Sequence, residues 1–205
     1  MKKRFKLKYL FIIILVALLT FLFINIKSIY DSISNKGEVK TLMTIDGYGY
    51  TLNEYDSEYF KSLFSDLKKC LESDKVDEEE YAELLSKLFV TDFYSLKYAI
   101  SKSDVGGIQF VYTDYQPSFT KKAKDTVYAY VKSNLYGKRN QELPNVKEVE
   151  VKSIEQESYK GDKVQDKEAY TVELKITYEE DLDYPENVVL TLVHASDKLE
   201  IVKMD

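Results

Sequence analysis

The chain has 205 residues, which is room for one domain of ordinary size together with appendages. With 44% apolar and 31% charged residues, and only three prolines and seven glycines, its composition is globular and excludes a largely disordered chain. The formal net charge of -6 combines a basic start with an acidic remainder, because residues 27–205 carry 24 basic and 35 acidic residues. So acidic a region repels phosphate backbones, and no nucleic-acid binding is expected.

The N-terminal residues predict a membrane anchor. Five basic residues lie within residues 1–8, and residues 9–26 form an uncharged, mostly apolar run. As a helix this run would span ~27 Å, close to the ~30 Å hydrocarbon core of a bilayer. The basic residues before the run favour an N-terminus in the cytoplasm and a C-terminal region outside the cell. We therefore expect a single-pass protein of the cell membrane, with residues 1–8 as a cytoplasmic tail and residues 9–26 as a transmembrane signal anchor.

A cleaved signal peptide is the alternative to a retained anchor. Its apolar core would be shorter, ~7–15 residues, and would end at a small-x-small cleavage site. Here the nearest such pattern, residues 32–34, lies well beyond the apolar run. The only cysteine is Cys70, so no intramolecular disulfide can form, and an exported protein without disulfides suits a Gram-positive bacterium.

After the anchor, residues 27–37 resemble a short stalk, and residues 38–55 predict a β-hairpin. The hairpin is indicated by Asp46 and Gly47, which stand between two apolar runs.

Two amphipathic helices are predicted next. Asp56 or Ser57 can cap the first, whose apolar residues recur at helical spacing. The second begins at Asp77 with Glu80 three residues later, the pattern of a capping box. The short link between them predicts an antiparallel helix pair.

The central part of the chain is less regular. Residues 92–103 are predicted to be irregular or weakly helical. Residues 108–112 predict a strand that is entered through Gly106 and Gly107. A third helix is expected to start at Pro117 and to end near Gly137.

The last third changes to the two-residue period of strands. We predict strands within residues 146–154, 170–178, 188–194 and 199–204. Antiparallel strands with one solvated face and helices on the other give an α+β domain, with helices packed on a four- to five-stranded antiparallel sheet.

The order of a helix pair, a strand, a third helix and four meandering strands resembles the NTF2-like, cystatin-related cone fold over residues 56–205. Residues 92–96 (DFYSL) and 104–110 (DVGGIQF) are also similar to stretches of small membrane-anchored proteins of clostridia and their relatives. The resemblance implies an extracytoplasmic NTF2-like domain on a membrane anchor. Such domains are used in Gram-positive cell-envelope proteins and in bitopic subunits of conjugation and type IV secretion machines. No known chemistry is implied.

Two residues are weak candidates for catalysis. In an NTF2-like cone, Asp92 with the tyrosines that follow it could act as the base of a site like that of ketosteroid isomerase. His194, the only histidine, could point into the cone cavity as an acid or base. The local alternatives, which we favour, are that Asp92 ends its helix by bonding backbone and that His194 is satisfied by a neighbour beside a turn.

No cofactor or metal is expected. Gly106 and Gly107 lack the spacing of phosphate-binding loops, and one histidine with one cysteine cannot form a zinc site without several carboxylates. The acidic loop at residues 179–186 lacks the ligand spacing of a calcium loop.

The surplus of tyrosine, 18 residues against no tryptophan, indicates an interface, because exposed tyrosines are enriched at interfaces. The candidate interface residues are Tyr48, Tyr50, Tyr94, Tyr98 and Tyr115.

Three functions remain open. The first is a non-enzymatic domain that binds a protein partner or self-associates as a homo-oligomer. The second is a structural subunit of a conjugation or type IV secretion-like machine. The third is a small-ligand binder or enzyme, which requires an open cavity lined by Asp92 or His194.

Overall fold

The structure of the protein is a computed structural model, which describes Thr20 and residues 40–205. Except for Thr20, the predicted cytoplasmic tail, transmembrane helix and stalk lie outside the described residues. Within the part that is described, no helix is both long and apolar enough to cross a membrane.

Residues 40–205 form one compact unit with three helices and six strands. The helices are α1 (Glu58–Leu71), α2 (Glu78–Tyr94) and α3 (Gln116–Asp125). The strands are β1 (Thr41–Ile45), β2 (Tyr50–Asn53), β3 (Val146–Lys160), β4 (Gln165–Tyr178), β5 (Asn187–Ala195) and β6 (Lys198–Met204).

The last four strands form an antiparallel sheet in the order β3-β4-β5-β6, and β1 and β2 form a separate two-stranded sheet. The three helices pack on the four-stranded sheet. The predicted α+β architecture is therefore confirmed, as is the alternation along β4, in which Val172, Leu174 and Ile176 are buried and the residues between them are exposed.

Local sequence signals predicted the first hairpin and the starts of the first two helices correctly. The β1–β2 turn contains Asp46 and Gly47, and Gly47 has the positive φ (+83°) that favours glycine. The hydroxyl of Ser57 accepts a hydrogen bond from the N–H of Phe60 at the start of α1. The carboxylate of Asp77 accepts two backbone hydrogen bonds at the start of α2. Both predicted helix caps are thus present.

The predicted strand at residues 108–112 is wrong. Ile108–Phe110 forms a turn of 3₁₀ helix, and only Val111 makes a bridge, parallel to Ile201 of β6. The side-chain amide of Gln109 instead forms hydrogen bonds to the backbone of β2, as a neighbouring strand would. It accepts from the N–H of Thr51 at 2.8 Å and donates to the carbonyl of Thr51 at 3.2 Å.

Two helix ends are set by the structure. Helix α2 continues through residues 92–94, part of the segment expected to be irregular or weakly helical. Helix α3 ends at Asp125, twelve residues before the predicted end near Gly137. The chain turns at Thr126 and places Tyr128 in the core, where it is 1% exposed.

Candidate functional site

Asp92 lies in the last turn of α2, and its side chain bonds the backbone of the loop that contains Gly106 and Gly107. Its Oδ2 accepts a hydrogen bond from the N–H of Gly107 at 2.7 Å. A Cβ on Gly106 would overlap the carbonyl group of Asp92, and a Cβ on Gly107 would lie 2.7 Å from the ring of Phe89. Gly107 also has a positive φ of 76°. The two glycines therefore let the loop lie directly on the helix.

Tyr128 completes this contact. Its hydroxyl donates to the carbonyl of Phe93 at 2.7 Å and accepts from the N–H of Gly106 at 3.0 Å. Asp92 and Tyr128 thus satisfy the N–H groups of two consecutive glycines. Residues 92–96 and 104–110, two stretches singled out in the sequence, therefore meet at this point.

The surroundings of Asp92 disfavour its charge. Burial raises the pKa of Asp92 to about 7, and the negative charges of Asp56 and Asp104 act in the same direction. The hydrogen bond from Gly107 opposes this effect without cancelling it. A carboxyl group whose pKa lies near neutral pH can exchange protons with a substrate, but the carboxylate of Asp92 already accepts the backbone N–H of Gly107.

His194 lies at the end of β5 in a cluster with two carboxylates. Its Nδ1 is 2.7 Å from Oδ2 of Asp166, which also accepts the backbone N–H of His194 at 2.7 Å. Its Nε2 is 3.4 Å from Oε2 of Glu78, in the first turn of α2, and the hydroxyl of Tyr170 is also 3.4 Å from this oxygen. The cluster joins β4, β5 and α2.

The charge state of His194 follows from these partners. Partial burial lowers the pKa of His194. The hydrogen bond and charge of Asp166, together with Glu78, outweigh burial, so the pKa lies above its ordinary value. His194 is therefore well suited to form an ion pair at the end of its strand.

The two candidate catalytic residues belong to different places. His194 contacts Glu78 at the start of α2, whereas Asp92 is 14 residues further along the same helix. At 1.5 Å per residue this is roughly 21 Å. They cannot act on the same bond.

Tyrosine hydroxyls cap the backbone at both edges of the main sheet. On β6, Tyr50 donates to the carbonyl of Leu199 at 3.0 Å, and Tyr81 accepts the N–H of Leu199 at 3.1 Å. The two hydroxyls are 2.6 Å apart. On β3, the hydroxyl of Tyr59 accepts the N–H of Val149 at 3.0 Å. Outward-facing backbone groups of edge strands, which could otherwise pair with another chain, are thus satisfied internally.

This arrangement changes the set of candidate interface residues. Tyr50 and Tyr94 are 1% and 4% exposed, so they fill the core and offer no surface. Tyr48 is partly buried against Tyr50, with ring centroids 6.1 Å apart. Tyr115 is partly exposed and donates to Asp162, while Tyr98 is 46% exposed. Three further exposed tyrosines lie outside this candidate set: Tyr55, Tyr130 and Tyr136.

A groove of about 500 Å³ opens between α3 and β6. Its apolar lining comes from α2, α3, β6 and the segment before α3, and includes Phe93, Val111, Phe119, Ala123 and Ile201. Its polar residues include Lys122 on α3 and Asp162 at the tip of the β3–β4 hairpin. Neither Asp92 nor His194 lines it.

One stretch of the β6 edge faces this groove without a cap. Asp205 and Val189 exchange two backbone hydrogen bonds, at 3.0 and 3.1 Å. In an antiparallel pair of strands, the residue next to such a hydrogen-bonded pair makes no backbone hydrogen bond to the facing strand. The N–H and C=O of Met204 therefore point away from β5. Met204 lines the groove. Further back along β6, the carbonyl of Ile201 accepts the N–H of Tyr112 at 2.9 Å.

Among the described residues, no group of three or more histidine, cysteine, aspartate or glutamate side chains is arranged to hold a metal ion. Compared with known proteins, the chain matches no family model, and no curated protein or solved structure shows significant similarity to it.

Proposed function

We propose that this protein is a non-enzymatic, membrane-anchored, extracytoplasmic domain of the NTF2-like kind that binds a protein partner or a second copy of itself. The observation that carries the proposal is the groove beside β6, where an apolar lining adjoins uncapped backbone of an edge strand. Grooves of this kind bind extended protein segments through main-chain hydrogen bonds.

The arrangement of the candidate catalytic residues supports binding over catalysis. Asp92 accepts from backbone and His194 is held between Asp166 and Glu78, so each has structural partners. Neither of them lines the groove, whereas acid–base chemistry needs a group within hydrogen-bonding reach of a bound substrate.

The membrane location rests on the sequence. Five basic residues before an uncharged run of 18 residues support an anchor with its N-terminus in the cytoplasm. In residues 56–205, a helix pair, a third helix and a final meander of four strands support an NTF2-like domain, although the strand expected before the third helix is a 3₁₀ turn.

Cysteine labelling on intact cells tests the orientation. Cys70 is 6% exposed, so it is first replaced by serine, and Ser65→Cys then places a thiol on the exposed side of α1. Lys6→Cys in the same background is the control for the predicted cytoplasmic tail. We expect a membrane-impermeant maleimide to label Ser65→Cys on intact cells and Lys6→Cys only after lysis. The opposite pattern would overturn the proposed location.

Site-specific photo-crosslinking tests partner binding. A photoreactive amino acid replaces Ser118 in the groove or, as the control, Ser65 on α1. We expect a discrete crosslinked product on intact cells from position 118 and none from position 65. A protein that stays uncrosslinked at both positions would count against a binding role.

A further inference from the structure

We propose that the loops at residues 97–103 and 130–141 form one surface, the tyrosine–lysine patch, which rests on anionic lipid headgroups of the membrane that holds the anchor. The proposal goes beyond partner binding and rests on the membrane anchor of the proposed function. Three features carry it: exposed apolar side chains, an excess of positive charge, and the place where the chain enters the described domain.

Hydrogen bonds join the two loops into one surface. The guanidinium group of Arg139, in the second loop, donates to the carbonyls of Lys97 at 2.6 Å and Ala99 at 2.7 Å, in the first. The N–H of Asn134 donates to the carbonyl of Ile100 at 2.7 Å. The side chains of both loops are therefore presented together.

The patch exposes large side chains that would normally be buried. Its exposed fractions are 46% for Tyr98, 38% for Ile100, 87% for Tyr130 and 61% for Tyr136. An exposed cluster of this kind marks an interaction surface. Tyrosine is enriched where a membrane meets water, because its ring is apolar and its hydroxyl is polar.

The patch is also positively charged. Its two loops contain five basic residues and no acidic one. Lys97 pairs with Glu179 at 3.2 Å. The other four form no ion pair with a described residue: Lys102, Lys132, Lys138 and Arg139. Asp104 and Glu142, which directly follow the two loops, leave positive charge in excess.

This charge favours one orientation at a membrane. Residues 27–205 carry 24 basic and 35 acidic residues, a net charge of -11, so an anionic lipid surface repels the domain as a whole. Basic residues near such a surface are attracted to it, within about a Debye length. The domain therefore lowers its energy by turning the patch towards the lipid.

The chain enters the described domain near the patch. At the entry, the carbonyl of Lys40 accepts the N–H of Glu54 at 3.0 Å, just before α1. The pKa of Lys61, in the first turn of α1, is raised chiefly by its hydrogen bond to Glu58, and Tyr98 of the patch acts in the same direction. The other large hydrophobic side chains that are exposed in the described part flank this entry: Leu42, Met43 and Tyr55.

The short connection to the anchor favours lipid over a soluble partner. Thirteen residues, 27–39, separate the predicted anchor from Lys40. Thirteen residues reach at most ~45 Å, so the patch always has lipid within range. A contact that is weak for free molecules becomes effective when both sides are tethered together.

The test measures how close the patch comes to lipid in the full-length chain. Cys70 is replaced by serine, and a fluorophore is attached through Asn140→Cys in the patch or through Lys167→Cys, an exposed control on β4. Lys167 lies twelve residues before Glu179, or roughly 40 Å along an extended strand. The chain is reconstituted in phosphatidylcholine vesicles with or without phosphatidylglycerol, and a nitroxide on the headgroups quenches the fluorophore.

We expect quenching at position 140 to exceed that at position 167 at least about twofold in the anionic vesicles, and this difference to be lost without phosphatidylglycerol. Lys132→Glu with Lys138→Glu should also abolish it. Lys75→Glu with Lys160→Glu changes the net charge equally at exposed positions outside the patch and should leave it within about a quarter. Thermal unfolding checks that each variant is folded.

Equal quenching at both positions in anionic vesicles, or quenching unchanged by Lys132→Glu with Lys138→Glu, would overturn the inference. Flotation of the vesicles distinguishes this failure from that of the proposed function. A chain that floats but shows equal quenching keeps its anchor and loses the lipid contact, whereas a chain that does not float loses both. On cells, a discrete protein adduct from a photoreactive amino acid at position 136 would assign the patch to a protein partner instead.

Discussion

Replacing Asp92 by asparagine should change how stability depends on pH. The folded protein holds a proton on Asp92 up to a pKa of about 7, whereas the unfolded chain releases it near the ordinary value of 3.8. Between these values the folded state binds more protons than the unfolded state, so this group makes stability fall as the pH rises. Below pH 3.8 both states are protonated and the effect disappears.

The size of the effect follows from the two pKa values. Their difference corresponds to at most ~4 kcal/mol, which is fully lost above pH 7. Asparagine carries no charge, and its carbonyl oxygen can still accept the N–H of Gly107. We therefore expect Asp92→Asn to match the unmodified protein near pH 4 and to be more stable at pH 8 by up to ~4 kcal/mol. For a domain of this size that is a rise in Tm of up to roughly 8–16 °C.

The assay is urea and thermal unfolding of the full-length chain, followed by circular dichroism at pH 4, 6 and 8. Only the difference between variant and unmodified protein is used, because other groups titrate in the same range. Asp74→Asn is the control, since Asp74 is an exposed carboxylate that does not act on Asp92, and it should show no such pH-dependent gain. If Asp92→Asn lowers stability at pH 8, the charged carboxylate is stabilised by its surroundings and the argument from burial is refuted.

Three further predictions concern the glycine loop, the edge of β6 and the His194 cluster. Gly107→Ala should destabilise the protein by at least ~1 kcal/mol more than Gly47→Ala, because both have positive φ but only Gly107 lacks room for a Cβ. This is measured by urea unfolding. Tyr81→Phe should cost ~1–3 kcal/mol in the same assay, because it leaves a buried N–H on β6 without its acceptor. Asp166→Asn should lower the pKa of His194, measured by NMR titration, because its hydrogen bond and charge raise that pKa.

Each of these predictions has a contrary result. Equal costs for the two glycine substitutions would mean that the contact with α2 is not tight. A neutral Tyr81→Phe, equal to Tyr98→Phe at an exposed position, would mean that the edge of β6 needs no cap. An unchanged titration of the histidine would mean that the carboxylate does not interact with it in solution.

The sequence predicted those elements whose signals are local. Ser57 and Asp77 could be identified as helix caps because a cap needs only a side chain and the next three N–H groups. The alternation along β4 was also sufficient, because one face of that strand is buried along much of its length.

Where contacts distant in sequence decide the structure, the pattern misled. Residues 108–112 are rich in the apolar and aromatic residues that favour strands, but Gly106 and Gly107 pack against α2, and the chain continues from them into a 3₁₀ turn. The helical spacing that continues beyond Asp125 is overridden because Tyr128 packs into the core and bonds the carbonyl of Phe93. No local signal carries that information.

The groove could not have been predicted for the same reason. Its lining comes from α2, α3, β6 and the tip of the β3–β4 hairpin, which are brought together only by the fold. The prediction that tyrosines form an interface rested on their number alone. The number does not distinguish Tyr50 and Tyr81, whose hydroxyls bond the backbone of β6, from Tyr98, which is exposed.

The distribution of edge caps argues for where a partner can bind. A sheet with two edges risks pairing with other chains along both of them. Here Tyr59 satisfies outward backbone groups on β3, and Tyr50 and Tyr81 do so on β6. An extended segment that approaches these positions must first displace a tyrosine hydroxyl. At Met204 it displaces nothing and finds an apolar groove beside it. The caps therefore limit strand addition on β6 to its last residues.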